Sequence, residues 1–430
     1  MIVRPRNYRG FLIAVLLCSW IVPGKSQTGM NAASNQWTTL EELVAEAEKQ
    51  NPELRAAAYE LESLRLKVLP AGALPDPVAS IGQMSTGNIR PFAGLGADEM
   101  SRVSIGIEQE FPLFGKLDLR IKMAAKEADA EARNYDAVRL RIVSDLKIAY
   151  YEWFYQFRAL ETLHKNMALL ESFEETATSQ YRVGNATQAD VLRAQTEQTR
   201  LQEQIELAEQ SKAATEAKIK SLLNRTSESE LPPPAPLEKS DLRFNFEELR
   251  NLALQRFPML LQQEEMIQAR QYALALAEKE RKPDAGVMFA YHNRGGMKDI
   301  WEVAGTIRIP LYFKKKQKYE IDSAGARLSA AKEQLESLRA SVQFELKDAY
   351  LEATTTERLL RLFEEAIVPQ ETLTLEATTA SYRVGRADAL SMITSLMQLS
   401  NDEIRYYEYL TRFQKALARI EPLVGEELTR

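Results

Sequence analysis

The chain repeats itself once, so any fold it adopts must accommodate two copies of one layout. Glu41-Glu42-Leu43 and Pro52 recur as Glu247-Glu248-Leu249 and Pro258, 206 residues later. Pro75-Asp76 recurs as Pro283-Asp284 at an offset of 208, and Pro112-Leu113-Phe114 as Pro310-Leu311-Tyr312 at 198. Leu146-Lys147 and Ala149-Tyr150 return 200 residues on, and Tyr181-Arg182-Val183-Gly184 returns intact as Tyr382-Arg383-Val384-Gly385 at 201. The small drifts fall where loops are expected. Residues 27–230 form the first repeat and 246–430 the second. Between them, 231–245 begins Leu231-Pro232-Pro233-Pro234-Ala235-Pro236, a stiff extended linker.

Each repeat reads as two helices, two strands and a long helical hairpin, a mainly α fold with a small β part. Thr39 with Glu42 predicts a capping box for a helix to about Gln50. Asn51-Pro52 restarts a helix to about Leu69, and Pro75-Asp76-Pro77 ends it. Residues 102–111 place Val103, Ile105 and Ile107 on one face of a strand and Ser104, Gly106 and Glu108 on the other. Residues 300–309 set Trp301, Val303, Ile307 and Ile309 against Glu302, Ala304, Thr306 and Arg308. Residues 284–292 align Val287, Phe289 and Tyr291, and 78–84 carries the weakest alternation. Each segment has about the length of a tilted membrane-crossing strand, roughly ten residues.

Gly and Pro together number only 35 of 430 residues, and none falls between Lys116 and Val183. Those 68 residues predict a helix of about 100 Å at ~1.5 Å per residue. Leu146, Trp153, Leu160 and Met167 recur every seven positions, flanked by Ile142, Ala149, Leu163 and Leu170, which is coiled-coil spacing. Gly184 reverses the chain, and residues 185–223 return as a second helix. The second repeat follows suit, with Gly325 and Pro369 expected to bend its long helix.

Arg4, Arg6 and Arg9 precede the apolar run Phe11 to Val22 and then Pro23-Gly24-Lys25-Ser26, which describes a cleavable secretory signal over residues 1–26. Leu17 before Cys18 is unsuited to a lipidation signal. Cleavage would remove four cations and the lone cysteine, taking the formal charge from −6 to −10. A cysteine-free acidic export product fits a bacterial envelope, and its charge offers no footprint for nucleic acid. One Cys and two His exclude a multi-ligand Cys/His metal centre. His164 and His292 have no ligand partners at metal spacing, and Glu pairs such as Glu174-Glu175 read as helix surface. Gly94-x-Gly96 lies between two strands, so it is no phosphate cradle. The reading therefore contains no catalytic, metal or cofactor site, and the chain is not read as an enzyme. Lys314, Lys315, Lys316 and Lys318 follow the last strand as a solvated membrane-border cluster.

Four strands cannot close a barrel, and an open sheet edge is not tolerated in lipid, so copies must associate. Three copies supply about twelve strands, enough to surround a water-filled lumen faced by Ser104, Glu108, Glu302, Thr306 and Arg308. The stretch from Tyr181 to Gln195, with Tyr181, Gly184, Asp190, Val191, Leu192, Ala194 and Gln195 in place, resembles the hairpin signature of TolC-type outer-membrane efflux proteins. The resemblance spans residues 38–423, and Ala73-Leu74-Pro75-Asp76-Pro77 resembles the heavy-metal-efflux branch.

The resemblance implies a homotrimer in the outer membrane, its 12-stranded barrel continuous with an α-helical barrel in the periplasm. It implies a passive export duct that docks through a periplasmic adaptor on an inner-membrane pump of the proton-driven RND type. The hairpin tips, Tyr181, Gly184, Thr187, Tyr382 and Gly385, would meet the adaptor, and Asp190 would face inward at the periplasmic gate. Ser391 replaces Asp190 and Thr394 replaces Arg193 in the second repeat, so a single acidic ring is expected. The competing reading is an exported coiled-coil scaffold with no pore. It leaves the period-two segments without a purpose.

Overall fold

In the first repeat α1 (Leu40–Gln50) and α2 (Pro52–Ala71) precede β1 (Val78–Met84) and β2 (Arg102–Phe111), followed by α3 (Lys116–Arg182) and α4 (Gln188–Leu222). The second repeat runs α5 (Phe246–Arg256), α6 (Pro258–Lys279), β3 (Asp284–Asn293), β4 (Ile300–Arg308) and α7 (Gln317–Leu362). A π-helical turn (Phe363–Ile367), α8 (Val368–Arg383) and α9 (Ala389–Val424) complete it. This computed structural model describes residues 37–86, 90–92, 94–184, 186–384 and 386–429. The signal segment with Cys18, and the tip residue Gly385, lie outside the described residues.

Local chemistry sets the element ends. Asn51 Oδ1 accepts from the amides of Glu53 (2.9 Å) and Leu54 (3.1 Å), capping α2 with Pro52 in its first turn. The same side chain donates to Leu222 O at 2.9 Å, so one cap also ties α2 to the end of α4. The α-helical hydrogen bonding of α7 runs through Gly325 unbroken. A lone glycine costs a helix interior only about 1 kcal/mol and leaves the hydrogen-bond ladder intact. Pro369 does mark a break, because the π-helical turn just before it accommodates the missing amide donor.

The heptad reading of α3 holds in the packing. Ile142, Leu146, Ala149, Trp153, Leu160, Leu163 and Leu170 are buried, and Met167 packs beside them. Laterally, α3 packs against α4 on one side and α9 on the other, and α9 against α7 and α8. That order leaves α4 and the α7–α8 helix as the two flanks. The repeats interlock, since α3 of the first also packs along α6 of the second.

The proline-rich segment is extended, as expected, but it does not act as a free spacer. Thr38 N donates to Pro233 O (2.8 Å) and Ala235 N to Thr38 O (3.1 Å). Tyr150 Oη donates to Thr38 O and accepts from Ala235 N, both at 3.1 Å. The segment thus clasps the start of the first repeat onto α3.

The sheet is four-stranded and antiparallel in the order β1-β2-β3-β4, so β1 and β4 are its edges. Two buried lysines fasten the repeats. At the foot of the sheet, Lys116 Nζ reaches Asp284 Oδ2 at 2.7 Å and Lys282 O at 3.0 Å. Midway along α3 and at the end of α9, Lys147 Nζ donates to Glu421 Oε2 (2.8 Å) and Thr429 Oγ1 (2.9 Å), while Glu421 Oε1 accepts from the amides of Leu428 and Thr429. Removing one partner of a buried pair strands the other charge, at a cost of about 3–5 kcal/mol. Lys147→Met should therefore lower the thermal midpoint, followed by circular dichroism, far more than Arg141→Met, whose exposed pair with Glu53 contributes about 0–1 kcal/mol.

Candidate functional site

Strand register decides which side chains share a face, and here it sorts them by polarity. Ser104 lies opposite His292 and Glu108 opposite Met288; Ala290 faces Glu302, Gly286 faces Thr306 and Asp284 faces Arg308. The five residues read from sequence as polar positions, Ser104, Glu108, Glu302, Thr306 and Arg308, therefore project from one face. They are bonded into a ladder. Arg308 makes two bonds to the Glu110 carboxylate (2.5 and 2.8 Å), and Thr306 Oγ1 donates to Glu108 Oε1 at 3.4 Å. Glycine makes the room, since a Cβ at Gly286 would come within 2.4 Å of Thr306 Oγ1.

In the sequence His292 has no ligand partners at metal spacing, and the structure gives it hydrogen-bond partners that the local pattern does not show. Its Nδ1 hydrogen-bonds Ser104 Oγ at 2.7 Å and its Nε2 meets Glu302 Oε2 at 2.9 Å, a link across three strands. Neither partner is near it in the local pattern. Only the pairing of β2 with β3 and of β3 with β4 brings them together. Glu110, likewise passed over, continues the alternation of Ser104 and Glu108 and could have been found that way.

The opposite face carries Ile81, Ile105, Ile107, Val287, Phe289, Trp301, Val303 and Ile307, all exposed, with Val303 at 73%. Trp301 stacks with Tyr291 (4.9 Å) and Phe289 (5.4 Å) along it. A continuous exposed apolar face is incompatible with water. It suits the hydrocarbon side of a membrane barrel.

At the hairpin tips, Gly184 takes φ +81° and donates its amide to Tyr181 O at 3.0 Å. Nothing lies within 4 Å of where its Cβ would be, so the glycine serves the positive φ. Thr187 caps α4, and Asp190 Oδ2 accepts from Thr187 N (3.0 Å) and Thr187 Oγ1 (2.8 Å). Asp190 thus has a local role as the return half of a capping box. The second hairpin inverts the arrangement. Asp388 is the cap of α9 and accepts from Ser391 N at 2.9 Å. A carboxylate is thus present at this tip too, at the position of Thr187, 201 residues on.

Tip electrostatics link the two hairpins. Hydrogen bonds from Ser391 hold the Asp388 carboxyl below its usual range, and Arg193 of α4 adds to the effect. Because folding lowers this pKa, the cap is complete at neutral pH and is lost as pH falls through the acid range. Tyr382 packs on Phe173 at 5.2 Å. Partial burial raises its phenol pKa, and the charge of Asp190 raises it further. Ala73–Pro77 connects the end of α2 to the start of β1, with Pro75 O accepting from Gln109 Nε2 at 2.8 Å.

The model of the outer membrane efflux protein family matches residues 43–225 and 249–426, one stretch in each repeat. The chain belongs to this family. Among curated members, the toluene efflux pump outer membrane protein TtgF of Pseudomonas putida is 24% identical over 160 residues, 36% of this chain and 33% of TtgF. The probable efflux pump outer membrane protein SepC of the same species matches equally, so the chain spans about a third of the length of these relatives. The efflux-family fold extends much further. VceC of Vibrio cholerae aligns with a TM-score of 0.76 at 18% identity, over 90% of this chain and 96% of VceC. The open-state MtrE channel of Neisseria gonorrhoeae gives 0.76 at 18%, over 91% and 90%.

The capping box supplies a direct test of what Asp190 does for the fold. Thr187→Ala and Asp190→Ala should each speed amide exchange in the first turn of α4, consistent with a loss of about 1 kcal/mol. The double variant should lose less than the sum of the two single ones, because both remove the bond from Thr187 Oγ1 to Asp190 Oδ2, whereas only Asp190→Ala also removes the one from Thr187 N. Fully additive exchange rates would show that the two act separately.

Proposed function

We propose that the chain is the outer-membrane duct of an efflux system, passive itself and supplied with energy by a partner pump. The observation that carries the reading is the sheet, with one polar laddered face, one exposed apolar face and two unpaired edges. Three copies close these edges into one barrel whose lumen is lined by Ser104, Glu108, Glu302, Thr306 and Arg308. The helices support the same closure. The α7–α8 flank exposes Phe344, Leu351, Leu362 and Leu373, and the α4 flank exposes Leu192 and Leu207. Flank against flank, these apolar side chains would leave water as the periplasmic tube closes.

Among the described residues no helix is long and apolar enough to cross a membrane, so lipid contact falls to the sheet. The tips, Tyr181, Gly184, Thr187, Tyr382 and Gly385, then dock a periplasmic adaptor, which joins the duct to an inner-membrane pump of the proton-driven RND type. Asp190 and Asp388 place carboxylates at the mouth in every copy. Two carboxylates ~8 Å apart repel by roughly 0.5 kcal/mol in water and about 2 kcal/mol at an effective dielectric near 20. That is enough to favour cations at the mouth and too little to hold it shut. The scaffold reading gains nothing from these features, because a rod has no use for a two-faced sheet.

Planar bilayers test the duct directly. Purified trimers should give stepwise conductance, and Asp190→Asn should reduce cation preference and block by divalent ions added on the periplasmic side. Gly184→Trp should leave trimers and conductance intact while export from cells fails. A monodisperse protein with no conductance would favour the scaffold, and full export by the Gly184 variant would exclude that tip as a docking surface.

A further inference from the structure

The duplication holds residue for residue in the sheet, and this allows the seam between copies to be read from a seam inside one copy. Val78 lies opposite Glu108 in the β1–β2 pair. Applying the offsets of 208 and 198 gives Gly286 opposite Thr306, which is the pair observed between β3 and β4. The two hairpins therefore share one register. The β2–β3 seam has no such equivalent within the chain. Its equivalent would join β4 to β1 of another copy.

The internal seam is closed at its foot by Asp284. Its Oδ1 accepts from Leu113 N at 2.9 Å, and its Oδ2 takes the Lys116 ammonium at 2.7 Å. Lys116 is only 1% exposed there. The same offsets carry Asp284 to Asp76, Leu113 to Leu311 and Lys116 to Lys314. In one copy these three stand on opposite edges of the sheet, and all are exposed. Leu311 is 79% exposed where Leu113 is 39%. Among the described residues neither Asp76 nor Lys314 forms a salt bridge. The turn also differs where the partner is missing, since α3 begins at Lys116 itself whereas α7 begins only at Gln317, three residues past Lys314.

We infer that the seam between copies repeats the β2–β3 seam, with Asp76 of a second copy seated against Leu311 and Lys314 as Asp284 is against Leu113 and Lys116. Resting on the trimeric duct reading, this names the contact that closes it. The register follows: Met288 lies opposite Glu108 in the internal seam, so Ser80 of the second copy lies opposite Thr306, both on the polar face. A slip of one residue would put Ala79 there, from the apolar face, and is excluded by the pleat. The acid and the amine are complementary in charge. Pro77, which has no amide to donate, falls at the start of the edge strand, where proline is tolerated.

Cysteine pairs in the full-length chain read the register. After oxidation in the envelope, Ser80→Cys with Thr306→Cys should give a covalent trimer in denaturing gels. Either single variant, and Ala79→Cys with Thr306→Cys, should not. Asp76→Lys should lower the temperature at which detergent-solubilised trimers dissociate, and adding Lys314→Asp to the same chain should restore it. Trimers that form but cross-link only at the slipped pair, or at neither, overturn the seam, as does failure of the charge exchange to restore stability. Native mass in detergent separates the two levels, because absence of trimers from the unmodified protein would overturn the duct reading itself.

Discussion

Every backbone amide and carbonyl placed in lipid must find a partner within protein, and this fold depends on that requirement more than on any other. The strands satisfy it between β1 and β4 but leave the outer edge of each of those two strands unpaired. An exposed apolar face alone could be hidden by dimerisation or by a helix. An apolar face bounded by two open edges is satisfied by ring closure, which also encloses the polar face. The flanking helices obey the same geometry, since α4 and α7–α8 bound the helical layer as β1 and β4 bound the sheet.

Within a copy, buried polar contacts hold the repeats in place where apolar packing would permit sliding. Coiled-coil seams such as Leu146-Trp153-Leu160 repeat every turn or two and tolerate displacement along the axis. Lys116 with Asp284 and Lys147 with Glu421 do not, because a buried charge moved off its partner is costly. Asn51 adds a third fixed point by serving as helix cap and as donor to Leu222 O in one side chain. Strand registry at the membrane and helix registry in the long hairpins are thereby coupled.

The two hairpins show how duplicated structure persists while its residues exchange roles. The first caps its returning helix with Thr187 and places the acid at Asp190, whereas the second caps with Asp388 and has Ser391 in the acid's place. Either order meets the demand of unpaired amides at a helix start. A motif search that tracks one position therefore reports decay where the chemistry is retained three residues away.

Much of the architecture was legible because it is encoded locally. Helix caps at Thr39 and Asn51, the glycine reversal at Gly184, the heptads of α3 and the alternation of β2 and β4 each depend on neighbours within a few residues, and each appears in the structure where the pattern placed it. The polar face of the sheet was legible for the same reason, since alternate residues of a strand point the same way. The partners of those side chains were not. His292 between Ser104 and Glu302, Lys147 on Glu421, and the proline segment paired with Thr38 join positions that only the packed chain brings together. Periodicity determines which way a side chain faces, but the register of distant elements, set by burial and backbone pairing, decides what it meets.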